Sequence, residues 1–168
     1  SMLADVSIDY LKMQVSAGAE MVMLFDRWAA DFRSEDYREF AFEPLNRVTT
    51  ALQKEGVPVV YFPGKGTDRM HDLSGLNADV VSVHWCSRMT TAQSVLKGLG
   101  LDVTLQGNLD PQTFLGPEEL VRERVRAVIE DVKKANPRGH IFNVGHGLLP
   151  HTPPEALGWA LDEAHKID

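Results

Sequence analysis

This chain of 168 residues predicts an α/β fold built on a parallel sheet, and three observations predict it. Short apolar runs alternate with amphipathic stretches along the whole length. Those runs are apolar throughout rather than at every second residue, the mark of strands covered on both faces. Each run also ends in a loop holding glycine, histidine, tryptophan or aspartate. Chemistry-bearing groups therefore gather at strand carboxyl ends, the functional face of a β/α barrel. A single domain, residues 1–168, follows from the length and from the lack of any linker, internal repeat or low-complexity stretch.

Taken in order, a helix over 6–17 precedes a first strand at 21–25. Ser34 is placed to cap the next helix, with Glu35 and Asp36 in its first turn and Leu45, Val48 and Leu52 on one face. The second strand, 57–62, reads Val-Pro-Val-Val-Tyr-Phe; Pro58 has no amide proton to donate, so it belongs at the strand's beginning. Strands at 80–83 and 103–106 follow. Gly116-Pro117-Glu118-Glu119 opens a helix with proline at its first position and acids in its first turn. Its buried stripe is Leu120, Val121, Val125, Val128, Ile129 and Val132, and it stops before Pro137. A last strand, 141–144, runs into Gly145-His146-Gly147, an imidazole between two glycines whose missing side chains leave room for a ligand. Thr152-Pro153-Pro154-Glu155 reads as a capping box for a final helix lined by Leu157, Ala160, Leu161 and Ala164. Repeated strand-then-helix units imply parallel strands joined by right-handed crossovers.

Composition narrows the function. A net charge of −7 argues against nucleic acid or an anionic membrane as partner, since both demand a concentrated basic face. No apolar run reaches membrane-spanning length and no signal peptide is evident. A lone cysteine, Cys86, has no partner for an internal disulfide and suits a reducing, cytoplasmic location. Gly64-Lys65-Gly66 is not a phosphate-binding P-loop, because the spacing and the following Ser/Thr are wrong.

Three segments carry more than composition: Leu24-Phe25-Asp26-Arg27-Trp28-Ala29, Gln106-Gly107-Asn108-Leu109-Asp110-Pro111 and Phe142-Asn143-Val144-Gly145-His146-Gly147. In order and spacing they resemble motifs of the uroporphyrinogen decarboxylase family, from the carboxyl-terminal half of its (β/α)8 TIM barrel. The closing Ala164-His165-Lys166 is similar too. The resemblance implies decarboxylation of the four acetate side chains of uroporphyrinogen III to give coproporphyrinogen III, in haem biosynthesis. It implies a tetrapyrrole as substrate and neither metal nor organic cofactor. By the same resemblance His146 is the active-site histidine of the cleft, available to bond a substrate carboxylate in either protonation state. Asn108 joins the substrate-binding set, although Asn108 and Asp110 also suit a loop-fixing role, since both residue types bond nearby backbone. Lys65 falls in the family's Lys-Gly loop and reads as a solvated lysine.

Two departures stand out. Arg27 occupies the place of a small hydroxyl residue, with Ala29-Ala30 replacing a glycine-rich pair, and His84 replaces aspartate in an Asp-Trp pair. Both changes make the site more positive, and Arg27 reads either as a bidentate carboxylate clamp or as an arginine reaching solvent. The family's substrate-steering arginines and central aspartate belong to the amino-terminal half and have no counterpart here. Half a barrel would also leave strand edges and an apolar inner face bare. The expectation is therefore self-association into a homodimer or docking on an amino-terminal half-barrel. A non-catalytic tetrapyrrole- or polyacid-binding relative is the alternative. A third reading borrows from the cobamide-dependent methyltransferases of the same superfamily, with zinc on His84, Cys86 and His146. A single cysteine is thin for such a site.

Overall fold

The computed structural model describes residues 1–28, 31–64 and 68–167. It contains one sheet of five parallel strands in the order β1-β2-β3-β4-β5, so every strand lies beside its predecessor in the chain. The strands are β1 (Val22–Phe25), β2 (Val59–Phe62), β3 (Val80–Ser82), β4 (Thr104–Gln106) and β5 (His140–Ile141). Sequential order in a parallel sheet is the topology of a barrel arc rather than of a doubly wound sheet. Beyond β5 the pairing continues as a single parallel bridge, Leu109 to Val144.

Alternation along the strands sorts side chains into two layers. Val59, Tyr61, Val81 and Leu105 point to the helices and enter the main clusters, with Tyr61, Val81 and Leu105 fully buried. Val60, Phe62, Val80, Ser82 and Gln106 therefore take the other face. That face is concave enough for Gln106 on β4 to donate from Nε2 to Ser82 Oγ at 3.3 Å and to approach Met23 Sδ on β1 at 3.6 Å. Val60 and Val80, in the middle of the sheet, are buried on this face. Phe25 at the mouth remains exposed.

The outer layer is helical. The helix α1 (Met2–Ser16) buries Ala4 and Leu11, flanked by Ile8 and Val15, against α3 (Glu43–Gln53) and the start of β1 and β2. Leu3, Val6, Tyr10 and Met13 are exposed, and at 100° per residue they fall on the opposite side of α1. A helix apolar on two sides is unusual at a protein surface. Between β1 and β2 the chain runs through α2 (Ser34–Tyr37), a π turn (Arg38–Phe42) and α3 without interruption. Ser34 does not cap this helix. Arg33 holds the N-cap position in extended conformation, and Ser34 Oγ donates instead to the Asp72 carboxylate at 3.0 Å.

The helix α4 (Met89–Gly98) carries no start signal of its own. Its cap comes from Asp131 on α5 (Glu118–Ala135), whose carboxylate accepts from the amides of Met89 and Thr90, from Thr90 Oγ1 and from Arg88. The predicted capping box before α6 (Pro154–Ala164) also fails. Pro153 takes the N-cap position, which leaves Thr152 one residue too early; its buried hydroxyl has no hydrogen-bond partner among the described residues. The helices α5 and α6 close the domain over Leu109 and Phe114, cross-linked by Arg122 and Arg126 on Glu163.

Candidate functional site

Among the described residues, two adjoining hollows open at the carboxyl ends of the strands, on the inner side of the arc. One, of about 320 Å³, is walled by Met23, Phe25, Phe62, Ser82, Gln106 and the segment from Asn143 to Gly147. The other, of about 190 Å³, lies among Trp28, Asp31, Gly64 and His84. Arg27, Phe62 and His146 border both, so the two form one cleft. A wider groove of about 790 Å³ runs between α1 and α3, but no strand end reaches it and its Lys12 and Arg47 are already paired with Glu55 and Asp5.

Three of the four expected site residues meet in this cleft. The His84 ring is 5% exposed, stacked on Phe62 with centroids 6.3 Å apart and planes 23° apart. It lies edge to face with His146 at 5.5 Å, and Trp85 covers it at 5.4 Å. His84 Nδ1 accepts the Cys86 amide at 3.2 Å and sits 3.0 Å from Cys86 Sγ. An Nδ1 that accepts leaves the ring proton on Nε2, so neutral His84 is a donor at that atom. His146 is half-buried on the rim, 6.4 Å from the Phe62 ring. Arg27 is exposed, spreads over the Trp28 ring at 5.7 Å and makes no ion pair with a described residue.

The flanking glycines of His146 have different reasons. A Cβ on Gly145 would lie 2.2 Å from Trp85 N and 2.6 Å from its Cα, and the Trp85 amide donates to the Gly145 carbonyl at 3.3 Å. Gly145 is therefore demanded by the neighbouring loop rather than by a ligand. Around Gly147 there is open space, which keeps the ligand reading there.

Asn108 stands apart from the other three. It is 6% exposed, and its amide donates to the carbonyls of His84 at 3.1 Å and Ser87 at 2.6 Å. It lines neither hollow of the cleft and instead holds the β3 loop that carries His84. Asp110 is likewise structural, accepting the Gln112 amide at 2.9 Å to start a short 3₁₀ turn. Lys65 and Ala29-Ala30 lie outside the described residues. Cys86 is exposed beside His84, but among the described residues no three His, Cys, Asp or Glu side chains are grouped to hold one metal ion. The cleft's other walls, Met23, Phe62, Ser82 and Gln106, fall in the strands and motif read from the sequence but were not among the expected site residues. They occupy every second strand position counted back from the loops, and that period was the available signal.

The arc of parallel strands, with a polar and aromatic cleft at its carboxyl ends, defines a piece of a β/α barrel. The chain belongs to the uroporphyrinogen decarboxylase (URO-D) family, whose profile matches residues 1–167. It is similar to the uroporphyrinogen decarboxylase of Myxococcus xanthus, 40% identical over 164 residues covering 98% of this chain and 45% of the relative. The Syntrophotalea carbinolica protein of the same name is 35% identical, with 98% and 47% covered. This chain thus spans less than half the length of these relatives. Among solved structures, a methyltransferase from Methanosarcina mazei shares the fold with a TM-score of 0.81 at 18% identity, covering 98% of this chain and 47% of its own. The 3-dehydroquinate dehydratase from Aquifex aeolicus does so more loosely, with a TM-score of 0.57 at 15% identity and covering 71% of its own chain. Among the described residues no helix is long and apolar enough to cross a membrane.

Proposed function

We propose that this chain supplies the carboxyl-terminal half of a uroporphyrinogen decarboxylase cleft, binding the carboxylates of a cytosolic tetrapyrrole and needing a complementary half for turnover. The observation that carries the reading is the convergence of Arg27, His84 and His146 on one cleft in a member of this family. Each offers hydrogen-bond donors to a carboxylate, and Arg27 can do so through two parallel N–H groups. Phe62 and Met23 give the same cleft an apolar wall suited to a flat macrocycle.

The chemistry asks for little beyond such binding. A proton added to a pyrrole carbon makes the ring an electron sink. The bond between the acetate methylene and its carboxylate carbon then breaks, carbon dioxide leaves, and the electron pair flows into the ring. A proton taken up by the exocyclic carbon and loss of the proton first added to the ring carbon complete the methyl group and restore the pyrrole. Arg27, His84 and His146 would hold the carboxylates of the rings not reacting, so that the scissile bond stands where the proton donor can act. By the family resemblance the substrate-steering arginines and the central aspartate belong to the amino-terminal half, so turnover on this reading needs that half beside the residues described here. Pairing is supported by the free edges of β1 and β5 and by the exposed stripe on α1. Whether a second copy or an amino-terminal half covers them is read by sedimentation at micromolar concentration with and without that half.

The test is titration with coproporphyrin III, then assay of uroporphyrinogen III turnover with and without an added amino-terminal half. Saturable binding, weakened about tenfold or more by Arg27→Gln, and turnover only with the added half are the expected results. No saturable binding sinks the proposal. A second reading, a non-catalytic polyacid binder, is favoured by His84 and Arg27 themselves, which depart from the family pattern. Tight binding with no turnover under either condition would select it.

A further inference from the structure

We infer that Tyr61 and Asp26 are positioning residues for Arg27, holding its loop at a fixed height over the cleft. The inference rests on the reading of Arg27 as a carboxylate clamp. A guanidinium on an exposed loop loses affinity if the loop wanders, and this loop is anchored on several sides. The Asp26 amide donates to the Phe62 carbonyl at 3.0 Å. Gly64 approaches so closely that a Cβ there would lie 2.9 Å from the Asp26 carbonyl and 3.1 Å from that of Arg27. Backbone of the β2 loop thus lies against backbone of the Arg27 loop, with no side chain between them.

Behind this contact runs a buried polar chain. Tyr61 OH donates to the Asp26 carboxylate at 3.2 Å, and the two phenols of Tyr61 and Tyr37 are 2.9 Å apart, both residues 0% exposed. A carboxylate only accepts, so Tyr61 must donate to Asp26 and accept from Tyr37. Tyr37 lies under the Arg69 guanidinium at 4.4 Å, and buried Arg69 is paired with Asp72 at 2.5 Å and donates to the Phe32 carbonyl. The loop is therefore held at Asp26 by Tyr61 and at Phe32 by Arg69, and Tyr37 joins the two anchors. Burial raises Tyr37 to about 12 and pushes Tyr61 higher still, so both hydroxyls keep their protons at any physiological pH. Nothing in the cleft chemistry requires two fully buried phenols. Their arrangement makes sense as support for the residue they hold in place.

The experiment is a double-mutant cycle read by coproporphyrin III titration of the whole chain. Tyr61→Phe removes one hydroxyl and should weaken binding about fivefold, the equivalent of one hydrogen bond. In an Arg27→Gln background it should change binding by less than about twofold, because the guanidinium it positions is gone. Equal losses in both backgrounds, or none in either, overturn the inference. A ligand-free readout runs beside it: amide hydrogen exchange at 26–28 should speed about tenfold in Tyr61→Phe, with the amides of β4 unchanged. Unchanged exchange at 26–28 overturns it too. If the parent chain binds no coproporphyrin, the proposed function fails and the exchange arm alone decides the positioning role. Should Tyr61→Phe not fold, Asp26→Ala removes this bond together with the other contacts of Asp26, so losses at least as large are expected, and no loss overturns the inference.

Discussion

Replacing Gly145 by alanine tests how the cleft is assembled. The new Cβ would stand 2.2, 2.6 and 2.8 Å from N, Cα and Cβ of Trp85. Relief requires the two loops to part by about 1 Å, and the two closest atoms are backbone, so no side-chain rotation can supply it. Overpacking costs about 1–3 kcal/mol where side chains can adjust, so a backbone clash belongs at the upper end, ~3 kcal/mol. For a chain of this size each kcal/mol lowers Tm by roughly 2–4 °C, which puts the loss at about 6–12 °C. The matched control is Gly147→Ala, two residues on, where nothing lies within 4 Å and the change should stay within about 0.5 kcal/mol. Thermal unfolding followed by circular dichroism compares them directly. Parting the loops also drags His84, the neighbour of Trp85, from Phe62 and His146, so porphyrin affinity should fall in Gly145→Ala beyond any change in Gly147→Ala. Equal melting temperatures for the two variants would refute the argument that the β3 and β5 loops are locked by contact.

Three further outcomes are expected. Burial alone would raise Asp131, but hydrogen bonds from Arg88, Thr90 and Met89 outweigh it and lower its pKa. The stability it adds is present above the ordinary carboxylate range and is lost as pH falls through its depressed folded value. Asp131→Asn should therefore cost about 1–2 kcal/mol at pH 7 and flatten the acid limb of urea unfolding; an unchanged limb refutes the capping role. His140 is lowered by burial, partly offset by its Nε2 bond to the Gly107 carbonyl at 2.6 Å. Its contribution is present above the ordinary histidine range and fades as pH falls through that range, so His140→Gln should show a weaker loss of stability between about pH 7 and 5 than the parent chain. His84→Asp restores the family residue but faces a carboxylate ligand with like charge. Coproporphyrin binding should weaken about tenfold in fluorescence titration, and a gain would show that His84 is no donor to the ligand.

The first four strands were legible because apolar runs such as Val-Val-Tyr-Phe have little choice in a parallel sheet, and α5 because Pro117 and two glutamates mark its start; the last strand, expected at 141–144, is His140–Ile141 with only Val144 bridging further on. The helix α4 was not legible, since its cap is Asp131, on a helix that the chain reaches only after another strand. Local pattern failed at Ser34 and Thr152 for a related reason: Arg33 and Pro153 already hold the extended backbone a cap needs. In the cleft, His146, His84 and Arg27 could be read from motifs because each sits in a loop with unusual chemistry. Asn108 shares such a loop yet turns inward to hold its neighbour, a difference of side-chain direction that spacing alone does not carry. Gln106 reaching Met23 across the arc depends on curvature, which no segment encodes by itself.

A sheet in which spatial neighbours are also successive along the chain is divisible. Cutting it between two units severs one strand pair at the cut and leaves every other ladder whole, because no strand skips its predecessor. Two polypeptides sharing such a ring would need to re-form only the two seams where they meet, and each could complete its own ladders before finding the other.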